Sequence, residues 1–514
     1  MIALESMTNY QIVLAAFAGV FWGMTGGALP GISTSVAMAL VMPFTFEMTP
    51  AAAMVLLGGV YVGSEYGGSI PAILIKTPVG GSSAATVIDG YEMNRQGRGG
   101  EALGLSLVGG TIGGLVGLLC LAFLTKPLSA VALLFQAPGY FALGVLGISV
   151  IASLSSGAVV KGLISGLLGI MISTVGIDTL SGISRFTFGF PDLLDGISVI
   201  IVLMGLFAVT EIMSQAKAKG WGSTIEHKST RLVMPSFKKL WSLRKAQAIA
   251  IVLGLIEGLT PGGGGSIAAF MSYNEAKRWS KEPEKFGKGS EEGVIAPETA
   301  NNVVASTALI PTLSFGIPGS NSAAILLSGL LIHGIQPGPQ LFVNNPDVVY
   351  GLFGGLFVAN LAMLVMGYFL LTPVMWLVRR PQPYLLAVIF GLIFSGIFSI
   401  SNSLLDLALM LATGALGYLM RLFGFPALPL ILGAVLGGMI ERNYRRSIVL
   451  GYGEHWIFLQ DPVSATLLAL AVLLIGFSLW GEISKKKRGL AATAEPTPQT
   501  AGKSGRKKLK TKGS

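Results

Sequence analysis

The sequence predicts an all-α polytopic membrane protein, an inverted-repeat secondary transporter with about 11 transmembrane helices and two re-entrant Pro-Gly hairpins. Three observations point there. Of 514 residues, 52% are hydrophobic and only 12% charged, and the mean hydropathy is +0.71. Two apolar runs are cut by Pro-Gly clusters, at Leu29-Pro30-Gly31 and at Pro261-Gly262-Gly263-Gly264-Gly265. The arms beside each cut are too short to cross about 30 Å of hydrocarbon. Backbone broken at that depth survives only where protein or a wet cavity surrounds it, and paired breaks in two halves mark a transporter's binding site. Lastly, short motifs of the first half return in order in the second.

Seventy glycines suit close packing of transmembrane helices. The formal charge of +10 suggests a nucleic-acid binder, but Lys485–Ser514 holds ten Lys and Arg against one acid, Glu495, and the rest is nearly neutral. Residues 485–514 are therefore expected to be a disordered basic cytoplasmic tail, and no nucleic-acid partner is expected. Cys120, the single cysteine, excludes an internal disulfide and a cysteine-rich metal site. His227, His333 and His455 are scattered, so no zinc site is expected. Met1–Tyr10 lacks the basic start of a cleaved signal, so the N-terminus is expected to be retained.

No Lys or Arg precedes Lys76, which places residues 1–50 outside the cytoplasm. The first hairpin covers about 10–44, and apolar spans follow at 50–75, 102–125, 139–156, 160–176 and 193–213. Glu65, Gly67, Gly68 and Pro71 interrupt the first of these. Together they form a first repeat, 1–213. Residues 214–247 carry eight Lys and Arg and make a basic cytoplasmic linker. The second repeat, 248–445, opens on a hairpin at about 248–273, followed by five more basic residues within Asn274–Glu292. Basic loops on both sides imply that this hairpin enters and leaves by the cytoplasmic face, whereas the first re-enters from the opposite one. Spans at 346–371, 383–400, 403–420 and 426–440 follow, and an additional C-terminal span within 446–484 returns the tail to the cytoplasm. Arg442, Arg445 and Arg446 then fall outside, against the rule: either that loop has a functional reason or a late span is misplaced.

The repeats support inversion. Pro71 and Pro78, followed by Ser83-Ala84-Ala85, return as Pro311, Pro318 and Ser322-Ala323-Ala324. Pro30-Gly31 returns as Pro261-Gly262, and Phe188-Gly189-Phe190-Pro191 as Phe423-Gly424-Phe425-Pro426. Offsets of 240, 231 and 235 residues describe one duplication. An odd number of crossings per half makes the copies antiparallel.

Substrate and ion are expected at the breaks. The first half offers Pro30, Gly31, Ser33, Thr34, Ser35, Lys76, Ser82 and Ser83; the second offers Gly262, Gly263, Gly264, Gly265, Ser266, Asn301, Asn302, Gly319, Ser320, Asn321 and Ser322. Hydroxyls, amides and free main-chain groups can ligate Na⁺ through oxygen or hold a carboxylate through donors. The competing reading is that Ser and Gly only let helices approach. Lys76 pairs with an anionic substrate or snorkels to the surface. Acids within apolar stretches are costly and need a partner, which singles out Glu65, Glu257, Glu298 and Asp406. Glu65, Glu257 and Glu298 are the candidate coupling carboxylates, for Na⁺ or H⁺; the alternative is a carboxylate capping a backbone break. No nucleotide loop is present, because Gly262–Gly265 is not followed by Lys-Ser/Thr.

Several motifs resemble one known family: Leu29-Pro30-Gly31; Tyr66-Gly67-Gly68-Ser69-Ile70-Pro71; Asp89-Gly90-Tyr91; and Glu257-Gly258 with Pro261-Gly262. Tyr273–Asn302 is the most specific stretch, with Pro283-Glu284, Phe286-Gly287, Glu292-Gly293-Val294, Ala296-Pro297-Glu298 and Asn301-Asn302; Gly316-Ile317-Pro318-Gly319-Ser320 and Pro337-Gly338-Pro339 extend it. Residues 10–480 are similar to the large membrane subunit (TctA family) of the tripartite tricarboxylate transporters. The resemblance implies a bacterial inner-membrane permease and not an enzyme. It would import a small tri- or dicarboxylate by ion-driven symport, with a small membrane subunit and a periplasmic solute-binding protein as partners. A homodimer is compatible with such folds. One departure stands out: the family's segment after the first proline is similar to Ile-Pro-Gly-x-Pro-Ser-Ser, whereas here Lys76 precedes Thr77-Pro78-Val79-Gly80-Gly81-Ser82-Ser83. If that loop touches substrate, the cargo differs from citrate. Alternatives are a stand-alone carboxylate carrier or channel without a binding protein and, more remotely, an intramembrane enzyme.

Overall fold

The computed structural model describes residues 5, 8–29, 31–132, 135–154, 159–178, 181–217, 231–260, 264–338, 340–378 and 382–494. Long runs of Leu, Ala, Val, Ile and Gly must satisfy their backbone internally when water is absent, and they do so as helices. In chain order these are α1 (Tyr10–Ala28), α2 (Thr34–Val41), α3 (Pro50–Ile75), α4 (Ser83–Arg95), α5 (Gly99–Ala132), α6 (Ala137–Leu154), α7 (Val159–Ser173) and α8 (Val199–Ala216). After the linker come α9 (Phe237–Ser242), α10 (Arg244–Leu259), α11 (Gly264–Trp279), α12 (Glu292–Thr307), α13 (Leu309–Phe315), α14 (Asn321–Ile332), α15 (Pro346–Phe369), α16 (Leu371–Val378), α17 (Gln382–Ser401), α18 (Leu404–Leu422), α19 (Ala427–Leu450) and α20 (Pro462–Ala494). A two-stranded hairpin pairs β1 (Gly176–Ile177) with β2 (Ser184–Arg185). Among the described residues six helices, including α1, α5, α8 and α15, are long and apolar enough to cross a membrane; α1, expected to be too short an arm of the first hairpin to cross, is one of them because its helix runs on through Met24-Thr25-Gly26-Gly27-Ala28. The protein is thus an all-α, multi-pass membrane protein.

Glycine stripes set the packing. Gly19, Gly23 and Gly27 on α1 and Gly59, Gly63 and Gly67 on α3 recur every four residues, so each stripe lines one helix face. A Cβ on Gly63 would lie 2.5 Å from the Val20 carbonyl oxygen, and one on Gly67 2.5 Å from that of Met24. The two backbones touch, and the contacts climb both helices together, so α1 and α3 run parallel. The second hairpin repeats the arrangement. Its arm α10 lies parallel to α12: a Cβ on Gly254 would lie 2.7 Å from the Ala300 carbonyl oxygen, and one on Gly258 would strike Thr307. On an adjoining face of α12, Gly113 and Gly117 of α5 face Thr299 and Val303. Lys245 Nζ donates to the Trp279 carbonyl at 2.8 Å, which brings the outer ends of α10 and α11 together.

One buried side chain organises the segment after α11. Asp89 Oδ1 accepts the backbone N–H groups of Gly287, Gly289 and Ser290, each at 2.8 Å, and its Oδ2 accepts the Tyr273 hydroxyl at 2.8 Å. Gly287 and Gly289 have φ of +81° and +96°, conformations that suit glycine. Asp89→Ala strands all four donors and is expected to destabilise the fold by about 3 kcal/mol. Thermal unfolding in detergent should show the loss, with new protease cleavage within residues 280–291.

Three boundaries depart from expectation. Pro71 lies inside α3 without interrupting it, because it forfeits one backbone bond while neighbouring helices hold the rest; the break falls at Lys76, whose φ is +58°. α19 runs to Leu450 rather than ending at 440, so Arg442, Arg445 and Arg446 ride a helix and not a loop. Arg445 is held there by Asp178 and by Glu441, one turn earlier, at 2.7 Å each. α20 continues to Ala494, past the expected start of the tail at 485, because Lys, Arg, Leu and Ala are good helix formers.

Candidate substrate and ion site

The broken segments end by starting short helices. Ser33 caps α2, accepting Val36 N–H at 3.4 Å, and Ser320 caps α14, accepting Ala323 N–H at 3.1 Å. α11 begins at Gly264, with φ of +69°, and α4 at Ser83. First-turn N–H groups have no intrahelical acceptor, so each of these ends is a positive dipole terminus.

These ends gather round Glu65, which α3 holds almost out of solvent at 9% exposure. Its Oε1 accepts Thr34 Oγ1 of α2 at 3.1 Å. Its Oε2 accepts Ser82 Oγ at 3.1 Å and Asn301 Nδ2 of α12 at 2.6 Å. A Cβ on Gly265 of α11 would strike Asn301 Oδ1, and one on Gly81 would strike Ser266 Oγ, so the second hairpin tip closes on the same carboxylate. One turn earlier on α3, the Tyr61 hydroxyl lies 3.0 Å from Ser320 Oγ, and Ser35 Oγ lies 3.4 Å from Ser322 Oγ. Residues from both halves of the chain therefore meet at one place.

Glu298 builds a second, deeper cluster at 1% exposure. It accepts Ser69 Oγ at 2.7 Å, Ser106 Oγ at 2.9 Å and the Thr86 hydroxyl. Every donor to Glu65 and Glu298 is a neutral hydroxyl or amide; among the described residues no Lys, Arg or His pairs with either. A buried carboxylate without a cationic neighbour demands a proton or a small cation for neutrality. The arrangement can therefore bind one, and it can present helix termini and hydroxyls to an anion beside it.

Other expected residues lie elsewhere. The Lys76 ammonium sits over the Tyr91 ring, 5.5 Å from its centroid, and not with the carboxylates. Gly31 gives its carbonyl to Gln215 Nε2 at 2.6 Å. Ser83 Oγ accepts Val79 N–H at 3.1 Å and so braces its own loop. A Cβ on Gly319 would lie 2.9 Å from the Gly258 carbonyl oxygen, and Asn321 is exposed beside Ser320. Asn302 donates to the Glu298 main-chain oxygen at 3.0 Å, and its buried Oδ1 has no donor among the described residues. Glu257, partly exposed at the end of α10, joins neither cluster; Asp406 occupies the first turn of α18, where Ser403 caps its N–H at 3.3 Å. Pro30, Pro261, Gly262 and Gly263 lie outside the described residues. The structure adds Tyr61, Ser69 and Ser106. Tyr61 and Ser69 sit one turn before and after Glu65, a signal present in the sequence; nothing local marks Ser106.

Gly265→Val is expected to push Asn301 off Glu65 and abolish uptake while leaving normal amounts of protein in the membrane. Wild-type transport by this variant would remove the hairpin tip from the site.

Fold and site together define a class: a multi-pass membrane protein whose helices break around buried carboxylates and hydroxyls, the construction of secondary transporters. The sequence profile described as the tripartite tricarboxylate transporter TctA family matches residues 13–432, and the chain belongs to that family, which is one of transporters. It is 36% identical over 489 residues, 94% of this chain and 96% of the relative, to an uncharacterized 52.8 kDa protein in the TAR-I ttuC' 3' region of Agrobacterium vitis. An uncharacterized protein in the TAR-II ttuC' 3' region of that organism is 34% identical over 238 residues, 46% of this chain and 97% of its own length. No solved structure matches the chain.

Proposed function

We propose that this chain is the large permease subunit of a tripartite system, importing a small tri- or dicarboxylate that a periplasmic binding protein delivers, with a small membrane subunit alongside. The observation that carries this reading is the pair of buried carboxylates, Glu65 and Glu298, held only by neutral donors where the helix termini meet. Na⁺ or H⁺ neutralises them, and the substrate carboxylates lie against the hydroxyls and N–H groups of Ser33–Ser35, Ser266 and Ser320–Ser322. Coupling follows, because the anion meets less repulsion once the cation is bound.

The two halves form inverted repeats, 1–213 and 248–445, with hairpins re-entering from opposite faces. Support comes from the parallel placement of α1 on α3 and of α10 on α12, and from the joined outer ends of α10 and α11. Glu47→Cys and Asn274→Cys, both at exposed positions, should label from opposite sides of the membrane in a Cys120→Ala background. Labelling from one side would sink the inversion.

The decisive assay is uptake of radiolabelled citrate and smaller di- and tricarboxylates into proteoliposomes, with and without the binding protein, under Na⁺ or proton gradients. Gradient-driven uptake that needs the binding protein is expected. Uptake without it would make the chain a stand-alone carrier, and no uptake of any carboxylate would overturn the substrate class.

A further inference from the structure

The three arginines that defy the positive-inside rule open onto two joined cavities. Arg442 and Arg446 are one turn apart on α19 and share a helix face. Both are exposed, and among the described residues neither forms an ion pair, whereas Arg445 is fully engaged with Asp178 and Glu441. The outer cavity, about 950 Å³, is lined by Arg442, Arg446, Tyr140, Gln336, Gln340 and Asn443, among others. The inner one, about 390 Å³, shares Arg442, Gln336, Pro337 and Met439 with it and reaches Gly316. Gly316 directly precedes Ile317-Pro318-Gly319-Ser320, the loop that ends at the capping serine of α14. Arg442 thus lines both cavities, the smaller of which reaches the start of the loop that leads to Ser320. Asp195 lines the inner cavity, beyond ion-pair distance of Arg442, and an adjoining pocket that Arg442 also lines adds Asp178 and Glu441, which Arg445 and Arg185 engage.

The cavities also lie on an identifiable face. Arg446 is about 30 Å along α19 from its start, enough to cross the hydrocarbon. Near that start Lys161 Nζ donates to the Phe423 carbonyl at 2.6 Å, and Arg421 pairs with Glu211 at 2.9 Å, close to the basic linker. The arginines occupy the opposite, extracytoplasmic end in the orientation proposed above.

We propose that Arg442 and Arg446, with the side-chain amides of Gln336 and Gln340, form an electropositive vestibule that captures the small carboxylate anion from the extracytoplasmic face and passes it to the Gly316–Ser320 loop. This rests on the transport reading. Two guanidiniums that form no ion pair among the described residues, facing a concave wall, raise the local concentration of anions, and each can hold a carboxylate through two parallel hydrogen bonds. Transfer inward exchanges those charged donors for the neutral hydroxyls and N–H groups of the buried site.

The test uses Gln336→Cys in a Cys120→Ala background, reconstituted in vesicles, with a sulfonate-bearing and a trimethylammonium-bearing methanethiosulfonate of similar size. From the extracytoplasmic side, with each rate divided by that reagent's rate with a free small thiol, the anionic reagent should react at least about tenfold faster than the cationic one. R442Q/R446Q should remove that preference, and citrate should slow labelling only when the arginines are present. Equal rates for the two reagents, or a preference that survives R442Q/R446Q, would overturn the vestibule. Comparison of phosphatidylcholine vesicles with vesicles containing phosphatidylglycerol separates the sources of anion: if the anionic lipid itself blocks labelling, a lipid phosphate is the occupant and the cargo assignment fails. In the uptake assay, R442Q/R446Q without the cysteine should raise KM about tenfold and leave kcat unchanged, as loss of capture requires. A merely structural role would lower kcat and the amount of protein instead. Selective labelling by a protein that takes up no carboxylate would overturn the transport reading and leave the anion vestibule standing.

Discussion

Glu65→Gln is expected to cut uptake about ten- to a hundredfold, the scale of losing a charged hydrogen-bond acceptor, while the protein remains in the membrane at its normal level. The substitution keeps the shape of the side chain. Thr34 can still donate to the remaining oxygen, Asn301 can rotate its amide to offer Oδ1, and the Ser82 hydroxyl can turn to accept. What disappears is the charge, together with the site it offers a proton or cation. Glu65→Ala is a different experiment, since it strands the buried Asn301 amide and the half-buried Thr34 and Ser82 hydroxyls and should lower the amount of folded protein. Uptake by Glu65→Gln that equals wild type, in the proteoliposome assay with the same tracer, would reduce Glu65 to a brace between α2, α3 and α12.

Gly63→Leu should remove the protein from the membrane almost completely. The first added carbon already meets the Val20 carbonyl oxygen at 2.5 Å, and the obstacle is main chain, which cannot rotate away. α1 and α3 must separate, and the neighbouring contacts at Gly59 and Gly67 go with them. Overpacking of ordinary cores costs about 1–3 kcal/mol, and a backbone-to-backbone seam should exceed the upper end. Gly63→Ala should lie between wild type and leucine. Gly476→Leu, on α20 where a Cβ meets nothing within 4 Å, should be silent. Quantitative membrane yield and thermal unfolding in detergent check the series; a Gly63→Leu protein that accumulates and melts like wild type would sink the account of this seam.

Much of this fold is legible before any coordinates. Apolar runs mark α5, α15 and α18 because a helix in lipid must be both long and apolar, and composition alone records that. Pro30-Gly31 and Pro261-Gly262 mark the breaks for an equally local reason, and the breaks in turn nominate Thr34, Ser82 and Asn301. Local rules fail where stability comes from neighbours. Pro71 reads as an interruption and is not one, and α19 outlasts its apolar stretch because ion pairs hold Arg445.

By itself, then, the sequence determines that the chain is helical, membrane-embedded, twice broken and a member of its family, since each follows from composition, periodicity or short motifs. Only the tertiary structure decides which expected residues share a site. Glu65 and Asn301 are 236 positions apart, and Ser106 and Glu298 are 192 apart, yet each pair shares a hydrogen bond. The physical reason is that a bare glycine face carries no address. Gly63 admits α1, and Gly113 lets α5 close on α12, but which backbone fills each groove depends on shape complementarity across the whole bundle.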